Sequence, residues 1–440
     1  MRKLALIGAA MVLALALGAC RGDSGAPDGD GDGGGVATDV GVASEPCPEA
    51  VNADNGCIYL GILSDLSVGP FAPLAVPVTA AQEAFWQRVN EAGGIRADGV
   101  DEAYDVDVTT YQRDTRYDPT EHRRAYEEIE PNILALAQTL GSATTEAILP
   151  SMRDNNVVAA PAAWSSLYAF EDVILESGAN YCVESMNAVD YATETYEISQ
   201  VMAVYFDDDY GADAAAGAQI AAEAHGLEFT GVPTSPGAEN QAEAVGRIIA
   251  AEPDLVIVTT GPSELAAIVG GAAGQGFVSA RFIGTSPTWN PALLGSPAGE
   301  ALVGLYEQTG PWVAGWDGDT PGHQAMREAI GEVDQINDGY TSGWVWSYPI
   351  KAALEAALAS GDLTRAGLRA AAGTLTSVDY EGMLPEGAGN YAAGPDGQVR
   401  GNTINRPDPD SPVGVSVHRE LSVGPTAEGH ELTQPCFELF

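Results

Sequence analysis

Basic residues are scarce in this chain. Against 62 Asp and Glu there are only 19 Lys and Arg, so the formal net charge is −43, and Lys3 and Lys351 are the only lysines. A nucleic-acid partner needs Lys and Arg to neutralise its phosphates, and an anionic membrane surface would repel this chain. The composition therefore excludes nucleic-acid binding and predicts a protein that self-repulsion keeps soluble.

Histidine and cysteine are also rare, and both shortages limit the chemistry. None of the five histidines lies in an HExxH motif, and no GxSxG nucleophile elbow is present. The five cysteines form no CxxC pair, which disfavours zinc sites and thioredoxin-like chemistry. We therefore predict no catalytic residue, no metal and no cofactor.

No segment reaches the length of a transmembrane helix, which needs about 20 apolar residues. The apolar run at residues 4–17 follows the basic pair Arg2-Lys3 and precedes a Leu-Gly-Ala-Cys sequence that ends at Cys20. This order predicts a signal peptide over residues 1–19. The last four residues resemble the bacterial lipobox, so we expect a lipid anchor on Cys20 that holds an extracytoplasmic protein at the cell membrane.

Residues 20–46 are rich in Gly, Asp, Ala and Ser and predict a flexible tether. Within them Asp28, Asp30 and Asp32, with Asp39 at the twelfth position, match the spacing of an EF-hand loop. No helical pattern flanks this stretch, and Gly/Asp repeats produce such matches by chance. A calcium site at 28–39 therefore stays an alternative to a plain tether.

Four cysteines remain beyond the tether, namely Cys47, Cys57, Cys182 and Cys436. An exported protein meets an oxidising environment, so an even number favours two disulfides, for which three connectivities exist. A short loop closed by Cys47 and Cys57 leaves Cys182 to pin the C-terminal tail through Cys436. We favour this pairing, with free thiols as the alternative.

From residue 58 onward, strand-like runs alternate with helical patterns. This alternation predicts βαβ units around parallel sheets, and a break near residues 180–186 indicates two lobes. Ligands of such folds bind beyond the carboxyl ends of the strands. The predicted strands are 58–63, 104–112, 132–139, 157–160, 201–206, 227–232, 255–258 and 282–283, and the predicted helices are 79–90, 121–130, 142–152, 212–225, 238–251 and 263–275.

Seven short motifs occur in a fixed order along the body, at residues 58–67, 69–71, 89–95, 140–145, 161–165, 209–211 and 346–348. Together they resemble the branched-chain-amino-acid-binding type of periplasmic binding protein. The resemblance implies a type I α/β fold with two Rossmann-like lobes, parallel central sheets and three crossovers near 180–184, 306–311 and 402–407. It places 58–181 with 310–402 in the N-terminal lobe and 182–309 with 403–440 in the C-terminal lobe.

The resemblance also implies a function. Family members close like a hinged clamp on a small solute and deliver it to an ABC transporter permease, so we expect a monomeric importer component and no enzyme. The expected ligand is an amino acid, an amide or a carboxylate. A ligand-sensing module for a signalling receptor is the first alternative, and an exported hydrolase is the second.

The resemblance names candidate ligand-binding residues in four loops. Ser142, Ala143 and Thr144 match the loop that grips the ligand carboxylate, where a helix begins and backbone N–H groups favour an anion. Ala162 matches a position whose carbonyl holds an amino group. Two residues further on, Trp164 replaces the family's Thr or Ser and would narrow the cleft or stack on the ligand.

The second lobe contributes the remaining candidates. Tyr210 is expected to close the cleft with its ring and hydroxyl. Ser286 stands where amino-acid binders of the family place an acidic residue. A buried ammonium needs an anionic partner, so the missing carboxylate places an α-amino acid ligand in doubt. Further cleft-lining candidates are Ser67, Phe71, Pro262, Trp289 and Trp344.

Overall fold

The computed structural model describes residues 35–439. The predicted signal peptide, Cys20 and most of the acidic 28–39 stretch lie outside the described residues. Asp39 is described, and its carboxylate accepts a hydrogen bond of 3.1 Å from the backbone N–H of Arg365. This carboxylate therefore already accepts a hydrogen bond within the fold.

The chain is paired from Ala37 onward, although the sequence predicts a tether as far as residue 46. Ala37–Thr38 pairs in parallel with Asp362–Leu363, and Val42–Ala43 pairs in antiparallel fashion with Cys57 and Ile58. Between them Gly41 has φ +80°, and a Cβ there would overlap the backbone of Leu134. The predicted tether therefore extends too far, because two strand pairings and a glycine turn hold its C-terminal part.

Strands occur along the whole described chain. They are β1 Ala37–Thr38, β2 Val42–Ala43, β3 Gly56–Ser64, β4 Tyr104–Asp114, β5 Ala135–Leu140, β6 Ala159–Ala162, β7 Gln200–Phe206, β8 Glu228–Thr234, β9 Leu255–Thr259, β10 Arg281–Gly284, β11 Tyr306–Gly310, β12 Asp362–Leu363, β13 Asn402–Pro407 and β14 Val415–Ser422.

Helices alternate with most of these strands. They are α1 Ala72–Glu91, α2 Pro119–Ile129, α3 Ser142–Glu146, α4 Leu149–Asn155, α5 Tyr181–Thr195, α6 Asp209–Ala224, α7 Ala242–Ala251, α8 Pro262–Gly274, α9 Gly299–Leu305, α10 Pro321–Ile330, α11 Asp338–Ala359, α12 Arg365–Ala372 and α13 Pro425–Gly429.

Two sheets organise the fold. In the first, β3 pairs in parallel with β4 and β5, β5 pairs with β6, and the short β2 lies antiparallel to β3. The second has the order β14-β13-β11-β10-β9-β7-β8 and is parallel except at β13 and β14. Strands such as β5 and β9 are buried along their whole length, as expected for parallel sheets covered by helices on both faces.

The chain passes between the sheets three times. It leaves the first sheet after β6 and enters the second at β7, then returns after β11, since α11 packs on α1 and β6. It crosses again to β13, which lies beside β11. The predicted two-lobe α/β fold with three crossovers is thus confirmed, while the residue boundaries of the lobes stay a prediction.

Two helices differ from the predicted pattern. Helix α1 begins at Ala72 rather than residue 79 and contains Pro77, and the side-chain amide of Asn290 donates to the carbonyl of Pro73, the group that Pro77 leaves without an intrahelical partner. The predicted helix 142–152 is two helices, α3 and α4. The second of these has Pro150 in its first turn, where proline is tolerated.

Both favoured disulfides are present. Cys47 bonds to Cys57, and Cys182 in the first turn of α5 bonds to Cys436 near the C-terminus. The first bond closes a separation of 10 residues and the second closes 254. The long bond ties the last described segment to the point where the chain enters the second lobe.

We expect the double variant Cys182→Ala/Cys436→Ala to lose more stability than Cys47→Ala/Cys57→Ala. A cross-link restricts the unfolded chain more when its loop is longer, and loop-closure entropy alone gives about 5–6 kcal/mol for the long loop and about 2–3 kcal/mol for the short one. Urea unfolding followed by tryptophan fluorescence without reductant measures both losses. Equal losses would contradict this view of the C-terminal tie.

Candidate functional site

A cavity of about 370 Å³, which we call the cleft cavity, receives residues from elements of both sheets. Its wall includes Leu140 and Ala162 at the ends of β5 and β6, and Gly310 at the end of β11. The first turns of α3 and α6 also reach it, through Ser142 and Tyr210. The cavity therefore lies beyond the carboxyl ends of parallel strands, where open α/β folds bind ligands.

Aromatic rings form much of this wall. The ring centroid of Trp164 lies 4.9 Å from that of Trp346 and 5.6 Å from that of Trp312. Tyr181 and Tyr210 pack edge to face at 4.6 Å. Rings in these orientations bury large apolar areas and leave a rigid surface for an apolar ligand.

Most polar groups on these rings are already hydrogen-bonded. The indole N–H of Trp164 donates to the carbonyl of Ser177, and that of Trp312 donates to Ser342 Oγ at 3.2 Å. The hydroxyl of Tyr210 shares a hydrogen bond of 2.8 Å with Thr285 Oγ1. These contacts fix the rings and leave little of their polarity for a ligand.

Two buried donors in the wall complete no hydrogen bond of normal geometry among the described residues. They are the hydroxyl of Ser142 and the indole N–H of Trp346. The phenol of Tyr168 lies within hydrogen-bonding reach of the Ser142 hydroxyl, and it donates to the carbonyl of Gly141 at 3.4 Å. A buried donor without a partner is costly, so a ligand oxygen would stabilise either group.

Ser286 faces a buried carboxylate that the sequence did not reveal. Glu184 Oε1 accepts hydrogen bonds from the N–H of Ser286 (2.9 Å), from the hydroxyl of Ser286 and from Thr309 Oγ1. Burial raises the pKa of Glu184 to about 7, although these hydrogen bonds oppose the shift. A carboxylate is thus present beside Ser286, namely that of Glu184. The Ser286 hydroxyl donates its hydrogen bond to this carboxylate.

Acidic groups also reach the cleft cavity itself. Asp338, in the first turn of α11, and Asp317 both contribute to its wall. Burial, followed by the charge of Asp317, raises the pKa of Asp338 to about 6. No Lys, Arg or His is among the described residues that line the cavity, so its interior offers neutral polar groups and carboxylates but no basic side chain.

Contacts between α3 and α6 close one side of the cleft. Tyr117 donates its hydroxyl to Asp208 Oδ2 at 2.9 Å, which joins a loop after β4 to the N-cap of α6. Nearby, burial and a hydrogen bond with Glu146 of α3 raise the pKa of Asp209 to about 7. Two carboxyl groups can share such a hydrogen bond only when one of them is protonated.

Several predicted site residues contribute to this wall. They are Ser142, Ala162, Trp164, Tyr210, Ser286 and Phe71. Ala143 and Thr144 lie on α3 but outside the wall, and Thr144 Oγ1 donates to backbone carbonyls, including Gly141 at 3.1 Å. That these residues bind a ligand stays a prediction.

The remaining predicted cleft residues lie outside the cavity wall. Ser67 is exposed and donates to Asp114, and Pro262 is buried at the start of α8. Trp289 stacks on Tyr306 with centroids 5.6 Å apart. Trp344 is fully buried and packs on Phe85 at 5.1 Å. Trp289 and Trp344 therefore pack in the hydrophobic core and do not line the cleft cavity.

Sequence reasoning missed several residues of the wall. Tyr117 follows β4, Tyr181 begins α5, and Trp312 follows β11. Trp346 lies within the motif at residues 346–348, which predicts no place for it in the cleft. Trp312 directly follows the predicted second crossover, a signal that could have placed it in the cleft.

One group of metal-ligand type occurs among residues 35–439, formed by Cys182, His430 and Cys436. Both sulfur atoms belong to the long disulfide. A disulfide sulfur is not a thiolate, so this group has no thiolate with which to hold a metal.

Two parallel sheets that share an internal cavity, with three chain passages between them, define a bilobal binding protein. The periplasmic binding protein family matches residues 58–403, so the chain belongs to this family. This match confirms the predicted periplasmic binding protein family, and the solved structures that the chain resembles confirm the predicted fold. No curated protein sequence matches the chain.

Solved structures of substrate-binding proteins have the same fold. A fatty acid ABC transporter substrate-binding protein from Thermomonospora curvata is 26% identical, with a TM-score of 0.81, and the match covers 90% of this chain and 97% of that one. A branched-chain amino acid ABC transporter protein from Thermus thermophilus with bound valine is 16% identical, with a TM-score of 0.71 over 85% and 98%. A leucine-binding protein from Thermotoga maritima is also 16% identical. Its TM-score is 0.67, and the match covers 83% of this chain and 98% of that one.

Proteins of this family work outside the cytoplasm. Within residues 35–439, no helix has both the length and the apolar character that crossing a bilayer requires.

We expect the melting temperature to fall as the pH rises through 7, partly through Asp209. Its pKa is raised in the folded protein to about 7, so its contribution to stability is complete below the ordinary value of 3.8 and is lost as the pH passes 7. Glu184, Asp338 and Asp213 have raised pKa values and act in the same direction. Asp209→Asn should therefore flatten only part of the dependence.

Differential scanning calorimetry between pH 5 and pH 8 checks this expectation. The matched control is Asp207→Asn, which removes an exposed carboxylate two residues away. If both variants keep the full slope of the original chain, the carboxyl pair of Asp209 and Glu146 does not hold α3 to α6.

Proposed function

We propose that this chain is the extracytoplasmic solute-binding component of an ABC importer, anchored by lipid at Cys20 and acting on a permease without chemical change to its ligand. Family membership and the substrate-binding proteins that share its fold support the transport role. The histidines support a non-enzymatic role, since none of them lines the cleft cavity within the described residues. His122, for example, is fully buried between Thr115 and Thr139.

The proposed ligand is an amphipathic carboxylic acid with a large apolar part. The observation that carries this proposal is a wall of packed aromatic rings that contains two buried donors without a complete hydrogen bond, Ser142 and Trp346. An apolar chain or ring would cover the aromatic surface, and a carboxylate oxygen would accept from these donors. The relative from Thermomonospora curvata, described as a fatty acid transporter protein, agrees with this class.

An amphipathic amine or amino acid is the second candidate. It is favoured by Asp338 and Asp317 in the wall, since a buried ammonium needs an anionic partner. Glu184 is a weaker partner for a ligand, because Ser286 and Thr309 occupy one of its oxygens. A sensory role in place of transport would use the same cavity and the same ligand.

A matched panel of octanoate, octanamide, octylamine, phenylacetate and leucine tests the ligand class by thermal shift. We expect octanoate or phenylacetate to raise the melting temperature in a saturable manner, because a ligand that binds only the folded state stabilises it by mass action. A shift with octylamine that Asp338→Asn abolishes would favour the second candidate. A chain that consumes any of these compounds would contradict the binding role.

Ser142→Ala should weaken the acid ligand by about 1–3 kcal/mol, the range for a hydrogen bond to a charged group. Isothermal titration with the best acid of the panel measures the change. Ser67→Ala is the matched control, since its hydroxyl lies outside the cavity and binds Asp114. Unchanged affinity in Ser142→Ala would remove Ser142 from the head-group site.

A further inference from the structure

A second cavity, which we call the side cavity, has a volume of about 360 Å³ and shares no lining residue with the cleft cavity. Three segments of the chain form it, and they come together from distant parts of the sequence. They are residues 168–176, 372–373 and 389–399. No step in the proposed transport function uses this cavity.

Glu176 is the unusual residue of the side cavity. It is only 5% exposed, and the backbone N–H of Ser165 lies close to its carboxylate without completing a hydrogen bond of normal geometry to either oxygen. Asn390, in the same wall, has a buried Oδ1 that also lacks a partner. Three oxygen acceptors are thus shielded from bulk water without a complete hydrogen bond, which costs free energy.

The nearby arginine side chains already form ion pairs with other acidic residues. Glu171 and Asp172 line the same cavity, and each has an arginine partner, Arg153 at 2.9 Å and Arg369 at 2.6 Å. Glu176, the most buried of the three acids, has none. The cavity therefore pairs its outer acids with cations and leaves its inner acid unpaired.

The neighbouring hydroxyls are also used. Tyr391 donates to the backbone carbonyl of Glu176 at 2.9 Å, and Ser177 pairs with Tyr380 at 2.9 Å. Burial, followed by the charge of Asp213, raises the pKa of Glu176 well above its ordinary value, and the N–H of Ser165 offsets only part of this. A bound cation would restore the charged form.

We propose that the side cavity binds a small organic cation with N–H groups, a primary ammonium or a guanidinium, whose head pairs with Glu176 and donates to Asn390 Oδ1. The acceptors without a complete hydrogen bond require a donor, and the buried carboxylate requires a positive charge. Tyr168 and Phe170 add aromatic surface to the wall, and Phe170 is 38% exposed. Aromatic faces attract organic cations.

The size of the cavity favours an organic cation over a bare metal ion. A metal ion bound by oxygens at 2.0–2.6 Å needs about six ligands close together. The side cavity offers one unpaired carboxylate and one amide oxygen within about 360 Å³. A molecule of several heavy atoms fills this space, whereas a metal ion would leave most of it empty.

Thermal shift and isothermal titration on the full chain test the proposal at constant ionic strength. The probes are propylammonium and methylguanidinium, with tetramethylammonium as a cation without N–H groups and calcium chloride as a metal control. The variants are Glu176→Gln, which keeps the shape and removes the charge, and Glu243→Gln, which makes the same change at an exposed acid of α7 that lies outside both cavities.

We expect one of the N–H cations to bind the original chain and to bind Glu176→Gln about 10-fold more weakly or worse, while Glu243→Gln and Ser142→Ala bind normally. Without a probe, Glu176→Gln should be at least as heat-stable as the original chain, which shows that it folds. Binding of calcium alone, equal binding of tetramethylammonium, or equal affinity in Glu176→Gln would each overturn the proposal. The absence of any binding would overturn it too.

Discussion

Buried carboxylates in a chain with few basic residues are the constraint on which this structure depends. The chain has 19 Lys and Arg against 62 Asp and Glu, and most buried acids among the described residues form no ion pair. Glu184 instead accepts from Ser286 and Thr309, and Asp105 accepts from the side-chain amides of Asn52 and Asn55. Hydrogen bonds to a charged acceptor are the strong ones, so loops are placed where they can supply N–H and O–H groups to an acid.

The same constraint shapes the passage between the lobes. Asp213 on α6 accepts from the N–H and hydroxyl of Ser166, which follows β6, and from the N–H of Cys182 at the start of α5. The N–H of Cys436 donates to the Ser166 hydroxyl at 2.7 Å, beside the disulfide that joins it to Cys182. One acid thus connects the end of the first sheet, the entry to the second and the C-terminal tail.

Much of the fold could be predicted from the sequence, because alternating strand and helix patterns are local. The strands at 58–63 and 255–258, for example, lie within β3 and β9. The site was predictable where a residue follows a strand, as with Ser142 and Ala162. The site was not predictable where a residue distant in the sequence contributes to it, such as Trp346 on α11. It was also not predictable where a buried acid lies within a mostly apolar helix, as Glu184 does in α5. Pairing of Glu184 with Ser286, 102 residues away, is a tertiary fact that no local pattern contains.

The net charge of the chain and the composition of the cavity wall both affect which ligand can bind. Under the proposed function, an acidic ligand would approach a chain of net charge −43 and enter a cavity whose described wall has no basic side chain and contains Asp317 and Asp338. Coulomb interactions would therefore oppose binding, and the neutral donors of Ser142 and Trp346 would hold the head group. Affinity has to come from apolar contact, about 0.8 kcal/mol for each buried CH₂ group, so selectivity follows the size and shape of the apolar part. A short amino acid would offer little such area, whereas an extended acid would bury more of its own apolar surface against Trp164, Trp312 and Trp346, each of which is itself only 4% exposed.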